Sequence, residues 1–274
     1  MSPVAALVRR HDRDRFQTAL FAPAPAREAL FALYAFNYEI ARIRESVREP
    51  MLGRIRLQWW REAIEAAYVG DPPRRHDVAE ALAATIRARH LTRAHFERLI
   101  DSREGDLDDA APPTLAALED YAEASSSRLI RLALEALDAA TPAAQDAATE
   151  IGIGYALSGL LRALPLQARA GRTMIPGEIA AAAGLCGGAA LRPGAALSRA
   201  AAAIAGAARR RLALGRDIGR AAPRAALPAL LPARVAEAAL GRLERAGFDP
   251  FAAAAGADPL QSWRLAWAAW RGRF

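Results

Sequence analysis

The stretch RFQTALFAPAPAREALFALYAFNYEIARIRE, from Arg15 to Glu45, decides the fold class of this 274-residue chain. After the Pro23/Pro25 pair, its apolar residues recur every three or four positions, which is the spacing of one face of an α-helix. The same spacing continues along the chain, and no stretch shows the period-two alternation of a β-strand. The sequence predicts an all-α fold and, because no long linker or internal repeat interrupts it, a single domain over residues 1–274.

Prolines, glycines and capping residues divide this pattern into helices. The predicted segments are Ala26–Val47, Met51–Tyr68, His76–Arg89, helices beginning at Thr92, Thr114 and Thr141, and a last helix over about Pro259–Arg271. Thr141 precedes Pro142, a combination that favours a helix start because proline lacks only an N–H that would be unpaired there. Pro165 is expected to kink or end that helix, since it removes a hydrogen bond and clashes with the preceding turn.

The composition excludes a largely disordered chain, because 53% of the residues are hydrophobic and 24% are charged. All 37 basic residues are arginine, and the net charge is +7. Residues 1–150 carry 20 arginines against 24 acidic residues, whereas residues 151–274 carry 17 against 6. A basic C-terminal half attracts nucleic acid, anionic lipid or a small anion such as a diphosphate, and charge alone does not choose among them.

Cysteine and histidine usage gives no metal motif. Cys186 is the single cysteine, and the four histidines, His11, His76, His90 and His95, are scattered. The N-terminus has no apolar signal-peptide core, and no apolar run approaches the roughly 18 residues of a spanning helix. We therefore expect a cytoplasmic protein in a reducing compartment, neither secreted nor spanning a membrane.

Three stretches together resemble the squalene/phytoene synthase family: Arg15–Glu45, LQWWREAI at Leu57–Ile64 and YALSGLLRALPLQARAGRTMIP at Tyr155–Pro176. The intervening pieces LIDSREGDLDD (99–109) and LEDYAEASSS (118–127) follow the family's order, so the resemblance covers most of the chain. It implies an isoprenoid-synthase-like helical bundle whose enzymes join two prenyl diphosphates head to head. It also implies two Asp-rich motifs on two helices, which hold Mg²⁺ against the diphosphates.

The chain departs from this pattern at both Asp-rich motifs. The positions that match the metal-binding carboxylates carry Ala41, Arg42, Glu45, Ala163 and Gln167. A permanently charged guanidinium repels Mg²⁺, and the lone carboxylate of Glu45 is better explained by an ion pair with a neighbouring arginine. We therefore expect no catalytic residues, no metal site and no cofactor. The alternative is a divergent head-to-head prenyl transferase, which would need Mg²⁺.

The losses are similar to those in the branch of the family that includes the mitochondrial respiratory complex I assembly factor. That branch keeps the FAPxxxR, EIAxxRE and IRLQWWR-like stretches, which occur here at 21–27, 39–45 and 55–61. The resemblance implies a non-catalytic assembly or stability factor for a membrane respiratory complex. It also implies a complex subunit or assembly protein as partner, and a place at the cytoplasmic face of the inner membrane.

One group of residues is predicted to bind an isoprenoid or anionic lipid: Tyr34, Arg42, Arg162, Arg169, Arg172, Gly152, Ala156 and Gly159. The arginines of the LR...RxGR stretch match a family pattern that lies beside the diphosphates, although surface solvation explains them equally well. The glycines, Ala156 and Ala163 share one helix face, which indicates either close helix packing or an open cavity wall. We expect an apolar pocket with a basic mouth between the two motif helices.

The last helix carries an aromatic stripe formed by Trp263, Trp267, Trp270 and Phe274, with Arg264, Arg271 and Arg273 nearby. Such a helix either lies on an anionic bilayer or docks on the domain core. We predict membrane or partner contact for this stripe.

Two further charged clusters are predicted to be solvated. The arginine run 209–211 is interpreted as an exposed helix face, and Asp106, Asp108 and Asp109 as a solvated loop rather than a metal site. We expect no nucleic-acid binding, because aromatic residues do not alternate with the arginines and no known binding motif occurs.

Overall fold

The computed structural model describes residues 1–108, 110–185, 191–254, 260–272 and 274. Within these residues all regular structure is helical, so the predicted all-α class is confirmed. The first half contributes α1 (Pro3–His11), α2 (Arg13–Ala19), α3 (Ala24–Ala41), α4 (Ile43–Ser46), α5 (Pro50–Val69), α6 (Asp77–Arg89), α7 (Arg93–Ser102), α8 (Leu115–Ala122) and α9 (Arg128–Ala136). The second half contributes α10 (Pro142–Arg169), α11 (Gly177–Ala183), α12 (Ala195–Ile218), α13 (Leu227–Leu230), α14 (Pro232–Arg245), α15 (Pro250–Ala254) and α16 (Gln261–Arg271).

Helix α3 lies at the centre of the N-terminal half and is buried around most of its circumference. Phe36 packs edge-on against Trp60 of α5 and Phe96 of α7, with ring centroids 5.2 and 5.6 Å away. Such aromatic clusters remove large apolar surfaces from water and fix the mutual position of three helices. Their packing holds one end of α3 firmly in place.

Helix α10 is the longest helix of the described chain and packs against α9, α12 and α14. The Thr141 hydroxyl accepts from the Ala144 N–H, as the sequence predicts for its N-cap. Pro165 does not end the helix, which continues to Arg169. Proline removes one hydrogen bond there, and burial of the preceding Leu164 keeps the helix on the core.

The N-terminal segment differs from the prediction in two further ways. The expected helix over Ala26–Val47 is interrupted at Arg42, after which α4 turns and buries Ile43. Helices α1 and α2 precede the first predicted segment. The Ser2 hydroxyl caps α1 by accepting from the Ala5 N–H. The Asp12 carboxylate caps α2 by accepting from the Arg15 N–H.

The C-terminal α16 packs on α14 through one face only. Leu265 and Ala268 are buried with Leu231 and Val235 in a small separate core. Phe274 is half-buried and lies over Gly219, so it packs against the core and does not share the exposure of the three tryptophans in the predicted stripe. The physical reason is that Gly219 has no side chain and leaves room for the ring. No helix in the described residues is long and apolar enough to cross a bilayer.

Candidate functional site: a cavity between two central helices

A cavity of about 750 Å³ opens between α3 and α10. Its other walls come from the junction of α1 and α2 and from a π-helical turn, Glu123–Ser127, that joins α8 to α9. The space between the two motif helices is therefore open, as expected. Five arginines and two aspartates line it, which makes the cavity cationic: Arg10, Arg13, Arg15, Arg103, Arg162, Asp12 and Asp14.

The two motif helices present small residues to this cavity. Ala41 of α3 and Ala163 of α10 both line it, at positions that match carboxylates of the family's motifs. Arg42 lies outside the lining, where its Nε is 3.3 Å from Glu39 Oε2. Glu45 is exposed on α4, and the Gln167 Oε1 atom is buried without a hydrogen-bond partner. The two motif positions that face the cavity, Ala41 and Ala163, thus present only methyl groups to it.

The carboxylates that do reach the cavity already have cationic partners. Asp12 Oδ2 is 2.8 Å from Arg15 Nη1, and Asp14 Oδ2 is 2.7 Å from Arg162 Nη1. Burial alone would raise the pKa of Asp14, but Arg162 and a hydrogen bond from Gln261 outweigh it and hold that pKa below its usual range.

These residues do not fit a magnesium cluster. Mg²⁺ needs several oxygen ligands in near-octahedral geometry, and ligands neutralised by guanidinium groups are poor ones. Among the described residues, no three His, Cys, Asp or Glu side chains converge on a common point. The metal-binding arrangement implied by the family resemblance is not provided by these side chains.

Arg15 is buried in the cavity floor. Its guanidinium lies 4.9 Å from the centre of the Tyr155 ring and 5.9 Å from that of Tyr34. Burial opposes its charge, but Asp12 and Tyr155 raise its pKa above the usual value, so the group stays cationic. Burial raises the pKa of both tyrosines, which therefore keep their protons. The floor thus combines a fixed positive charge with aromatic faces.

Arg103 is a second buried cation beside Arg15. Its Nη1 donates to Tyr121 Oη at 2.9 Å, and its Nη2 donates to Asn37 Oδ1 at 3.4 Å. Its Nε has no hydrogen-bond partner. Burial and, to a smaller extent, neighbouring Arg15 disfavour the charge of Arg103, but Tyr121 and Asp106 outweigh them and hold its pKa above the usual value. Two neighbouring cations favour an anionic occupant.

The π-helical turn places serines at the same site. Ser125 and Ser126 line the cavity, and the buried Ser126 hydroxyl has no hydrogen-bond partner. A buried hydroxyl without a partner costs free energy, and π-helical turns recur at functional sites. The cavity therefore offers a free hydroxyl next to a cationic floor, an arrangement suited to an anionic group with an apolar tail.

The predicted small-residue stripe divides into two parts. Ala156 and Gly159 line the cavity, as an open wall requires. Gly152 does not: a Cβ there would lie 2.6 Å from the Ser127 backbone nitrogen, so this glycine serves close helix packing. Gly152 therefore lies outside the cavity lining, and close helix packing is the alternative that its surroundings favour.

Only one of the three arginines predicted in the LR...RxGR stretch reaches the cavity. Arg162 lines the cavity, but Arg169 and Arg172 do not. Arg169 is exposed about 10 Å further along α10, because seven residues rise by that distance in a helix. Tyr34 is buried outside the cavity lining, beside Arg15. The basic groups of the cavity therefore come from its floor, from the α1–α2 junction and from Arg162 of α10, not from the RxGR stretch.

The remaining charged clusters have structural partners. Asp108 Oδ1 lies 3.2 Å from Arg54 Nη2, and Asp106 pairs with Arg103. Arg211 is not simply solvated, because it bridges two carboxylates of neighbouring helices. Asp109, Cys186 and Arg273 lie outside the described residues.

Several residues of the cavity are not predicted from the sequence as ligand-binding residues, including Arg15, Arg103 and Ser126. One available signal is the charge-dense run His11–Arg15, which interrupts the apolar periodicity between two helices. Arg103 and Ser126 come from distant segments, and tertiary packing alone brings them to the cavity.

Comparisons with known proteins agree on one family. A model of the squalene/phytoene synthase family matches residues 8–271. The human NADH dehydrogenase (ubiquinone) complex I assembly factor 6 is 35% identical over 173 residues, covering 63% of this chain and 52% of that protein. A presqualene diphosphate synthase of Rhodopseudomonas palustris is 33% identical over 159 residues, covering 57% of this chain and 56% of that enzyme. The chain thus spans about half the length of the curated relatives it matches.

Solved structures confirm the isoprenoid-synthase-like helical bundle. A squalene synthase from Alicyclobacillus acidocaldarius superimposes with a TM-score of 0.79 at 21% identity, over 90% of this chain and 94% of that one. A dehydrosqualene synthase in complex with ligand gives a TM-score of 0.83 at 16% identity, over 98% of this chain and 94% of that one. Because the identities are low, these similarities establish the fold and not the activity.

Proposed function

Because the chain belongs to the squalene/phytoene synthase family, we propose that it is a non-catalytic member, an assembly or stability factor for a membrane respiratory complex of the complex I type. One observation carries this proposal: Ala41 and Ala163 face the cavity at positions where the family's enzymes need carboxylates. Relatives named complex I assembly factor 6 support the assembly role. The partner is then a subunit or assembly protein of that complex, met at the cytoplasmic face of the inner membrane.

The cavity supports a binding role within this function. Its cationic floor and free Ser126 hydroxyl match the head of an isoprenoid diphosphate or an anionic lipid. The small residues Ala156 and Gly159 leave room for an apolar chain along α10. Arginines would neutralise the head directly, without Mg²⁺.

Deletion of the gene from its native cell tests the assembly role. We expect less assembled complex on native gels and less NADH-dependent quinone reduction in membranes, both restored by the wild-type gene. The squalene and carotenoid content of the cell should not change. Normal complex levels together with a missing isoprenoid product would overturn the proposal.

A head-to-head prenyl transferase is the second candidate, and the likeness to the presqualene diphosphate synthase favours it. Incubation with farnesyl or geranylgeranyl diphosphate and Mg²⁺ separates the two. We expect no coupled product above a no-protein control, because the leaving diphosphate lacks metal to offset its charge. Detection of presqualene diphosphate, squalene or phytoene by mass spectrometry would establish the enzyme instead.

A further inference from the structure

Helix α16 turns three tryptophans to solvent. Trp263, Trp267 and Trp270, here called the tryptophan face, expose 76%, 54% and 76% of their surfaces. They lie at i, i+4 and i+7, so they form one ridge opposite the buried Leu265 and Ala268. The helix is already docked on the core through that buried pair, so packing among the described residues does not account for the tryptophans.

A second exposed apolar surface directly follows α2. Leu20 and Phe21 are exposed, and they line one groove together with Ser262 of α16. Gln17 Nε2 donates to Ser262 Oγ at 2.9 Å, which ties α2 to α16. Exposed apolar surfaces of this size mark interaction sites in soluble proteins.

The charged side chains of α16 and of the groove lining are all arginines. The sequence of α16 contains no acidic residue, and the Arg271 guanidinium lies 3.8 Å from the centre of the Trp267 ring. Exposed Arg9 and Arg13 line the groove on the other side. A ridge of indoles flanked by arginines matches a bilayer interface, where rings sit at the level of the headgroups and guanidinium groups meet phosphates.

We propose that the tryptophan face docks on an anionic lipid bilayer. The inference deepens the proposed function, on which it rests for its location at a membrane complex. Arg13 lines both the groove and the cavity, so docking would place the cavity entrance beside the lipid surface. The cationic cavity would then face the source of an anionic, apolar ligand.

Vesicle co-sedimentation of the full chain tests this surface. The vesicles are phosphatidylcholine alone or phosphatidylcholine mixed with phosphatidylglycerol, across a salt series. We expect binding to the anionic vesicles that partly resists salt, and a loss of about tenfold or more in the triple variant W263A/W267A/W270A. The matched control, M51A/L52A/I55A, removes three exposed apolar side chains from α5 and should bind like the wild type. Circular dichroism confirms that both variants are folded.

Three outcomes overturn the proposal: no vesicle binding by the wild type, equal binding by the tryptophan variant, or an equal loss in the α5 control. A tryptophan variant that keeps vesicle binding but loses self-association or a protein partner would make this face a protein interface. The vesicles contain no respiratory complex, so the assay is independent of the assembly role. If the chain does not bind vesicles, the gene deletion still tests the assembly role on its own.

Discussion

At the scale of single residues, two glycines of α10 have opposite roles. A Cβ at Gly152 would lie 2.6 Å from the Ser127 backbone nitrogen, whereas nothing lies within 4 Å of a Cβ at Gly159. We expect Gly152→Ala to destabilise the fold by about 1–3 kcal/mol, because backbone cannot move aside cheaply. Gly159→Ala should be neutral or stabilise by up to about 1 kcal/mol, through its effect on helix propensity.

Urea unfolding monitored by circular dichroism measures both changes. The two substitutions are chemically identical and lie in the same helix, so each serves as the control for the other. Equal destabilisation by both would show that α10 is packed alike at the two positions, contrary to the cavity described above.

His95 gives a prediction about pH. It is buried on α7, with Nε2 3.6 Å from Glu135 Oε1, and burial lowers its pKa although Glu135 opposes the shift. Below a pH of about 6.5 the unfolded chain therefore binds a proton that folded His95 does not. The free energy of unfolding should fall with pH in this region, by at most about 1.4 kcal/mol per unit from this group.

The variant His95→Gln should have a flatter stability profile between about pH 7.5 and 5.5, because no proton is taken up at this position. Urea midpoints across that range are the measurement. A profile that keeps the wild-type slope would assign the pH dependence to other groups.

At the scale of helices, Arg211 joins three elements. From α12 its Nη2 lies 2.7 Å from Glu119 Oε2 of α8, and its Nη1 lies 3.1 Å from Glu150 Oε2 of α10. Removing the guanidinium leaves two mostly buried carboxylates without this partner. We expect Arg211→Ala to cost about 1–3 kcal/mol, a figure reduced because the arginine is partly exposed.

Arg209→Ala is the matched control for that change, two positions earlier on the same helix. Its ion pair with Glu244 is exposed on both sides, so its loss should cost less than about 0.5 kcal/mol. Thermal unfolding of the two variants measures both losses of stability. Similar costs would mean that the Arg211 bridge contributes no more than a surface pair.

The helices are predictable from sequence where the local signals are strong. Thr141-Pro142 gives a correct start for α10 because capping and proline geometry depend only on neighbouring residues. The interruption at Arg42 is not predictable from periodicity, because Ile43 continues the apolar pattern and burial decides where α4 turns. Pro165 shows the reverse case, in which packing of the helix overrides a local breaker.

The candidate site is predictable only where it coincides with a motif. Ala41, Ala163 and Arg162 are found because the family pattern marks their positions. Arg103 escapes prediction because nothing near it in sequence indicates that it meets Asn37 across 66 residues. Trp263 and Phe274 belong to one apparent stripe in the sequence. In the structure Trp263 is exposed, whereas the Phe274 ring occupies the space above Gly219.

For the molecule as a whole, the cavity is lined by residues from both the acidic first half and the basic second half of the chain. Its floor comes from Arg15 and Arg103 of the first half, and its long wall comes from α10. An occupant that contacts both halves should stabilise the entire fold, because unfolding of either half would release it. A ligand at 100 times its dissociation constant adds about 2.7 kcal/mol in this way.

Farnesyl diphosphate is the probe for that occupant. Farnesyl diphosphate should raise the thermal midpoint in the presence of EDTA, since arginines rather than Mg²⁺ meet its diphosphate. Arg162→Gln should weaken the binding of farnesyl diphosphate about tenfold, because it removes one cation and leaves Asp14 without its arginine partner. The midpoint shift should shrink accordingly. Arg169→Gln, on the same helix but outside the cavity, should bind like the wild type. A midpoint shift that requires Mg²⁺, or that Arg162→Gln leaves unchanged, would show that these arginines do not hold the ligand.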